Sequence, residues 1–334
     1  QEYMRNRTDA LREVVVDILR ARYARLMRDR RQAAGSARGD GSAVKAIKFA
    51  NLSYPIEETQ KLKAHVLLSG RCGLGCPQCL NEEWGPDLSE EEVYDILDSL
   101  RGADRIVLLG PGETTAYGKA AADLLKPGVS ESFARIVEYA SRCAREVEIV
   151  TNGTCIPTDI EEARRFFSRF APNVIWTISV DFYHEKRIAE KAHRSLKELT
   201  RMMEALYAEE AVDAGYWVTC HLEEGEDSDI IYAFELEDAY LAGRVNTFSV
   251  VRQGGAARNC FDGAKSLDRE GLLAAAIPEH EAALCVGLKG DVFVSIAPVF
   301  MRREERAQYA LGNIHERPLA EIILQVYKTQ ALER

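Results

Sequence analysis

Six short apolar runs alternate with amphipathic helical stretches from residue 63 onward, and no other feature constrains the fold of this chain so tightly. The strand-like runs fall at 65–68, 105–109, 147–150, 174–180, 216–222 and 245–251. Helical runs lie between them at 89–100, 131–145, 159–170, 192–210 and 229–242. Strand–helix–strand repeats build parallel sheets, because parallel neighbours need long crossovers and those crossovers are right-handed. The expected class is α/β, with a partial (β/α)6 TIM-like barrel. Ligand sites in such sheets gather at the carboxyl ends of the strands. Ser89 followed by Glu92 has the spacing of a capping box, which marks the start of the first crossover helix.

The flanks read differently. Leu11, Val14, Val15, Ile18, Leu19 and Leu26 recur at a helical period over 9–31, and 34–42 is a small-residue tract. The chain therefore divides, by expectation, into an N-terminal helix and linker at 1–60, a barrel at 61–257 and a small α+β extension at 258–334.

Composition narrows the class. Of 334 residues 46% are hydrophobic and 29% charged, an ordinary balance for a globular protein with a full core. No apolar run approaches the roughly 18 residues of a membrane span, and no secretory apolar segment stands near the start. Eight scattered cysteines suit a reducing cytoplasm. Net charge is −10, yet residues 1–48 hold 12 Lys and Arg against 6 Asp and Glu. No aromatic or glycine pattern accompanies that basic stretch, so it reads as a solvated helix and not a nucleic-acid arm. The acidic remainder argues against nucleic acid as substrate and is compatible with a cationic small molecule. The expected partners therefore include neither nucleic acid nor membrane.

The chemistry sits just after the first strand. Cys72, Cys76 and Cys79 form a C-x3-C-x2-C run within eight residues. Thiolates are soft donors that suit zinc or iron–sulfur clusters. A structural zinc site takes its thiols as two separated pairs, and no second C-x2-C pair occurs in the chain. Three cysteines on a cubane leave one iron open to a small molecule.

This run resembles the signature of the radical S-adenosylmethionine (SAM) superfamily. The resemblance implies one 4Fe-4S cluster on Cys72, Cys76 and Cys79, with SAM chelating the fourth iron. One electron, from a flavodoxin- or ferredoxin-type donor, then cleaves SAM to methionine and a 5′-deoxyadenosyl radical. Gln78 stands where the family usually has an aromatic residue, and implies a hydrogen bond to the adenine edge in place of stacking. The segment 108–114 is similar to the family's G-G-E motif, with Gly110, Gly112 and Glu113 set for the SAM amino group. Thr151-Asn152-Gly153 resembles its T-N-G, which implies that Asn152 touches SAM or substrate. Ser179 and Asp181 resemble its S-x-D on the SAM methionine or ribose. Arg194 falls where the family pairs an arginine with the SAM carboxylate. Tyr183 and His184 follow Asp181, and His184 is a candidate for moving a proton.

The C-terminal part resembles a degenerate SPASM or twitch extension. Its carried-over pieces are a G-R-A-like stretch at 251–260 with Arg258, then Cys285, the turn at 290–295, and the segments 311–314 and 319–322. Ser295 occupies the place of a usual cysteine ligand, so a single cluster is expected. Without an auxiliary cluster to accept an electron, redox-neutral outcomes are favoured: epimerisation, dehydration, deamination, decarboxylation or rearrangement. An epimerase needs a hydrogen-atom donor, for which Cys260 is the first candidate and Cys220 the second. The segment before the barrel reads as too short for a peptide leader-binding domain. The expected substrate is therefore a small molecule, of aminosugar, aminoglycoside or nucleoside type, in natural-product (antibiotic) biosynthesis. Modification of a ribosomally made peptide is the alternative. A non-catalytic electron carrier is a further one, against which the SAM-pocket elements argue.

Overall fold

The computed structural model describes residues 61–77, 79, 85–220, 226–249, 281–293, 299 and 306–323, and two short strands near the start. Those two, β1 (Ala46–Phe49) and β2 (Leu52–Pro55), form an antiparallel hairpin. The main sheet begins with β3 (Lys61–Leu67) and continues through β4 (Ala103–Leu109), β5 (Ala144–Thr151), β6 (Val174–Val180), β7 (Asp213–Cys220) and β8 (Val245–Ser249). Each joins the next in parallel, in sequence order. The crossovers carry α1 (Glu90–Ser99), α2 (Glu131–Cys143), α3 (Ile160–Phe167), α4 (Phe182–Ala192) with α5 (Leu196–Ala208), and α6 (Glu226–Ala233) with α7 (Glu237–Leu241). This is the α/β, partial TIM-like barrel arrangement that the alternation predicts.

Three further strands extend the other edge: β9 (Glu281–Val286), β10 (Asp291–Phe293) and β11 (Gly312–Asn313). β9 lies parallel to β3, and β10 and β11 follow antiparallel, giving the order β11-β10-β9-β3-β4-β5-β6-β7-β8. The turn between β9 and β10 closes at Gly290, whose φ of 78° suits glycine. The N-terminal helix expected at 9–31 and the stretch at 251–260 lie outside the described residues.

Strand alternation divides the core into two faces. On one, Leu62, Ala64 and Val66, Ile106 and Leu108, Val147 and Ile149, and Trp176 and Ile178 meet the helices. On the other, Leu67, Val107, Leu109 and Val150 pack with Cys285, Phe293 and Val299. The first five crossover helices start on side-chain caps. Ser89 and Glu92 close the expected capping box, and Ser130, Asp159, Asp181 and Ser195 cap α2, α3, α4 and α5. Their buried faces follow, as with Val93, Ile96 and Leu97 on α1.

Two helical expectations are corrected. The run at 192–210 begins only at Leu196, because His193 takes a left-handed φ of 54° and ends α4. The run at 229–242 is two helices, broken where Glu235 has φ of 57°.

Candidate functional site

The cysteine loop leaves the carboxyl end of β3. It is held at its root by Arg71, whose guanidinium pairs bidentately with Asp87 at 3.1 and 2.5 Å. The same group donates to the carbonyls of Lys119 (2.6 Å) and Ala116 (2.8 Å), and Asp87 also accepts from the Gly118 N–H. Further along, Gly75 takes φ of 60°, and Arg187 of α4 donates to the Leu74 carbonyl at 3.1 Å. The loop is thus tied to the chain after β4 on one side and to α4 on the other.

Gly110 and Gly112 lie against this loop. A Cβ on Gly112 would stand 2.4 Å from the Arg71 carbonyl oxygen, and one on Gly110 2.5 Å from that of Ser69. Both contacts are backbone on backbone, so only glycine fits. Across them, Gly112 N–H donates to the Ser69 carbonyl and Glu113 N–H to that of Arg71.

Glu113 is 4% exposed and its carboxylate is fully engaged. One oxygen accepts from the Thr115 N–H (3.0 Å), the Thr115 hydroxyl (2.6 Å) and the Thr151 hydroxyl (2.6 Å). The other accepts from the Asn152 N–H at 2.8 Å. A buried carboxylate needs such donors, and here they join the end of β4 to the end of β5. Asn152 then turns its side chain back: its carbonyl accepts from Thr154 N–H and Oγ1, and its amide nitrogen lies 4.0 Å from Cys72 Sγ.

At the end of β6, Asp181 is 1% exposed and caps α4 by accepting from the N–H groups of Tyr183 and His184. Its second oxygen meets His184 Nδ1 at 2.5 Å. A carboxylate only accepts, so Nδ1 carries the proton and Nε2 is the nitrogen left for other partners. Burial works to lower the His184 pKa, but the Asp181 charge, its hydrogen bond and the charge of Glu113 hold it above the ordinary value. Ser179 is half-buried and stands beside Trp217 of β7 in the strand register. Arg194, between α4 and α5, donates to the carbonyls of Thr154 and Ile156.

The donor set fits an iron–sulfur cluster. Burial, opposed by the N–H groups of Leu74 and Gly75 and reinforced by the charges of Glu113 and Cys79, pushes the Cys72 thiol up to about 12. Burial and the charges of Cys72, Asp181 and Cys79 likewise push Cys76 up, against Arg187. The three sulfurs therefore share one electrostatic neighbourhood, in which several thiolates are stable only beside a cation. They are not drawn to one point: among the described residues no three Cys, His, Asp or Glu side chains close on a common metal position.

Of the residues singled out in the sequence, Cys72, Glu113 and Asn152 form one connected group, and Cys76, Asp181 and His184 adjoin it. Gln78 and Cys260 lie outside the described residues. Cys285 is fully buried in the apolar cluster with Leu67, Val107 and Phe293, where burial pushes its thiol up. Sequence reasoning missed Arg71, Asp87, Thr115 and Arg187, and gave Thr151 no role beyond its place in the T-N-G. Arg71 directly precedes Cys72, but its partner is 16 residues away, and nothing local marks it.

The fold and this site define a class, an α/β partial barrel with a three-cysteine loop at the carboxyl end of its first core strand. No protein-family model and no curated protein matches the chain. Solved structures do. Streptococcus suis SuiB bound to precursor peptide SuiA is similar at 12% identity and a TM-score of 0.47, covering 79% of this chain and 64% of that one. The HMG-CoA lyase from Brucella melitensis is similar at 13% identity and a TM-score of 0.31, covering 68% of this chain and 72% of that one. The chain therefore spans less than two thirds of the length of SuiB.

Proposed function

We propose that this chain is a radical SAM enzyme that abstracts hydrogen from a small-molecule substrate of aminosugar, aminoglycoside or nucleoside type in a redox-neutral reaction. The observation that carries the reading is the C-x3-C-x2-C loop at the carboxyl end of β3, with its sulfurs in one electrostatic neighbourhood. Cys72, Cys76 and Cys79 would hold the 4Fe-4S cluster, and a flavodoxin- or ferredoxin-type partner would supply the electron. When bound, cluster and SAM together supply a 5′-deoxyadenosyl radical.

The chain's own residues do the rest. Arg71, Gly110, Gly112 and Arg187 fix the loop. Glu113 fixes the ends of β4 and β5 beside it. Asp181 holds His184 with its proton on Nδ1, and a protonated imidazole can donate from Nε2 to a leaving oxygen or nitrogen. Dehydration and deamination need such a proton movement, whereas epimerisation needs the return of a hydrogen atom. Cys285 packs as an apolar residue, which supports a single cluster and with it a redox-neutral outcome. Cys260 is the proposed hydrogen-atom donor for an epimerisation.

Anaerobic incubation of the reconstituted protein with SAM and dithionite tests the reading. Wild type should release 5′-deoxyadenosine, and the variant with Cys72, Cys76 and Cys79 all changed to Ala should release none. Equal release from that variant would overturn the assignment.

A further inference from the structure

The side-chain amide of Asn152 is oriented by its surroundings. Two donors, the Thr154 N–H at 2.9 Å and the Thr154 hydroxyl at 2.8 Å, converge on one end of it. A backbone N–H must meet an acceptor, so that end is the carbonyl oxygen, and the usual ambiguity between oxygen and nitrogen is removed. The NH2 group therefore points the other way, and there it meets Cys72 Sγ at 4.0 Å. Its surroundings restrain this pose. Its own N–H is tied to Glu113 Oε2, it is 6% exposed, and Gly153 next to it has φ of 82°. The N–H groups that lower the Cys72 pKa, those of Leu74 and Gly75, belong to the cysteine loop itself. Asn152 brings a donor to this sulfur from another strand, 80 residues away.

We infer that Asn152 is a positioning and tuning residue for the cluster, donating an N–H···S hydrogen bond to Cys72, and not a residue reserved for SAM or substrate. The inference rests on the reading that Cys72 is a cluster ligand. Hydrogen bonds to cluster sulfurs favour the more negative, reduced state and so raise the reduction potential. Glu113 and Thr151 support this device, because they fix the end of β5 from which the amide projects. A cluster that must take an electron from a protein donor gains directly from such a bond.

Two variants separate the donor from the fold. Asn152→Asp keeps the acceptor for Thr154 and removes the N–H. Asn152→Leu keeps the approximate shape and removes both polar ends. The full chain is reconstituted anaerobically, its iron is counted, and the potential of the cluster is measured by titration followed by electron paramagnetic resonance. Both variants should keep wild-type iron and shift the potential to a more negative value, the Asp variant further because it adds negative charge. Full iron with an unchanged potential in both would overturn the inference and leave the cluster reading standing. Absence of iron from the wild type itself would overturn both.

Discussion

Glu113 offers the sharpest test of how the site is held. Its carboxylate accepts four hydrogen bonds, two from backbone N–H groups and two from threonine hydroxyls, and it is 4% exposed. Hydrogen bonds to a charged group contribute about 1.5–3 kcal/mol each, and the cost of burying the carboxylate offsets much of that sum. Glu113→Ala strands the N–H groups of Thr115 and Asn152, at roughly 1–3 kcal/mol apiece. The net loss should be about 3–5 kcal/mol, the range for removing one partner of a buried charged network. Glu113→Gln keeps the shape and one acceptor oxygen. Its amide can face the three donors of Thr115 and Thr151 with that oxygen, which sets NH2 against the Asn152 N–H and costs about 1–3 kcal/mol. Urea unfolding of the cluster-free full chain, followed by circular dichroism, should rank wild type above Gln and Gln above Ala. An Ala variant within about 0.5 kcal/mol of wild type would refute the reasoning. A Gln variant more stable than wild type would also refute it, since that is how a carboxylate held unsatisfied for a ligand behaves.

Other expectations follow from the same geometry. Gly112→Ala puts a Cβ 2.4 Å from the Arg71 carbonyl, and backbone cannot yield as a side-chain tip can. The cysteine loop must shift, and iron affinity measured by competition with a chelator should fall about 10–100-fold, as for the loss of a group supporting metal ligands; unchanged affinity would contradict the packing argument. The His184–Asp181 pair gives a pH dependence of defined sign. The folded pKa of His184 is raised above 6.5, so the pair's contribution is full below 6.5 and disappears as pH rises through the folded value. In Asp181→Asn the cap on α4 is kept but burial is opposed only by the Glu113 charge, and the His184 pKa followed by NMR should drop below wild type; no change would remove the dyad from the account.

Much of this fold could be read from the chain because its signals are local. Alternating runs and side-chain caps such as Ser89 with Glu92 depend on neighbours within a few residues, and the six core strands pair in sequence order. β3 begins earlier than its apolar run, since Lys63 interrupts the alternation on one face. α4 escaped notice because Ile188 is its one buried residue among those of its own span, and what starts it is the Asp181 cap. The docking of β9 beside β3 joins residues more than 200 positions apart, which no local pattern records. The site divides the same way. The three cysteines are legible as a run, and the motif Gly110 to Glu113 as a loop after a strand. What these residues touch is not: the glycines meet the chain's own backbone at Ser69 and Arg71, and Glu113 finds two of its four donors 38 and 39 residues on. Arg194 was expected on a SAM carboxylate, and its guanidinium lies on two carbonyls of the loop after β5.

The central claim is that Cys72, Cys76 and Cys79 hold a cluster with one open iron. The most direct measurement is metal and sulfide content of the anaerobically reconstituted full chain, with its absorbance near 400 nm. The account predicts about four irons and four sulfides per chain, all lost when the three cysteines become alanine. Zinc in place of iron, iron near eight per chain, or iron retained by the triple-alanine variant would contradict it.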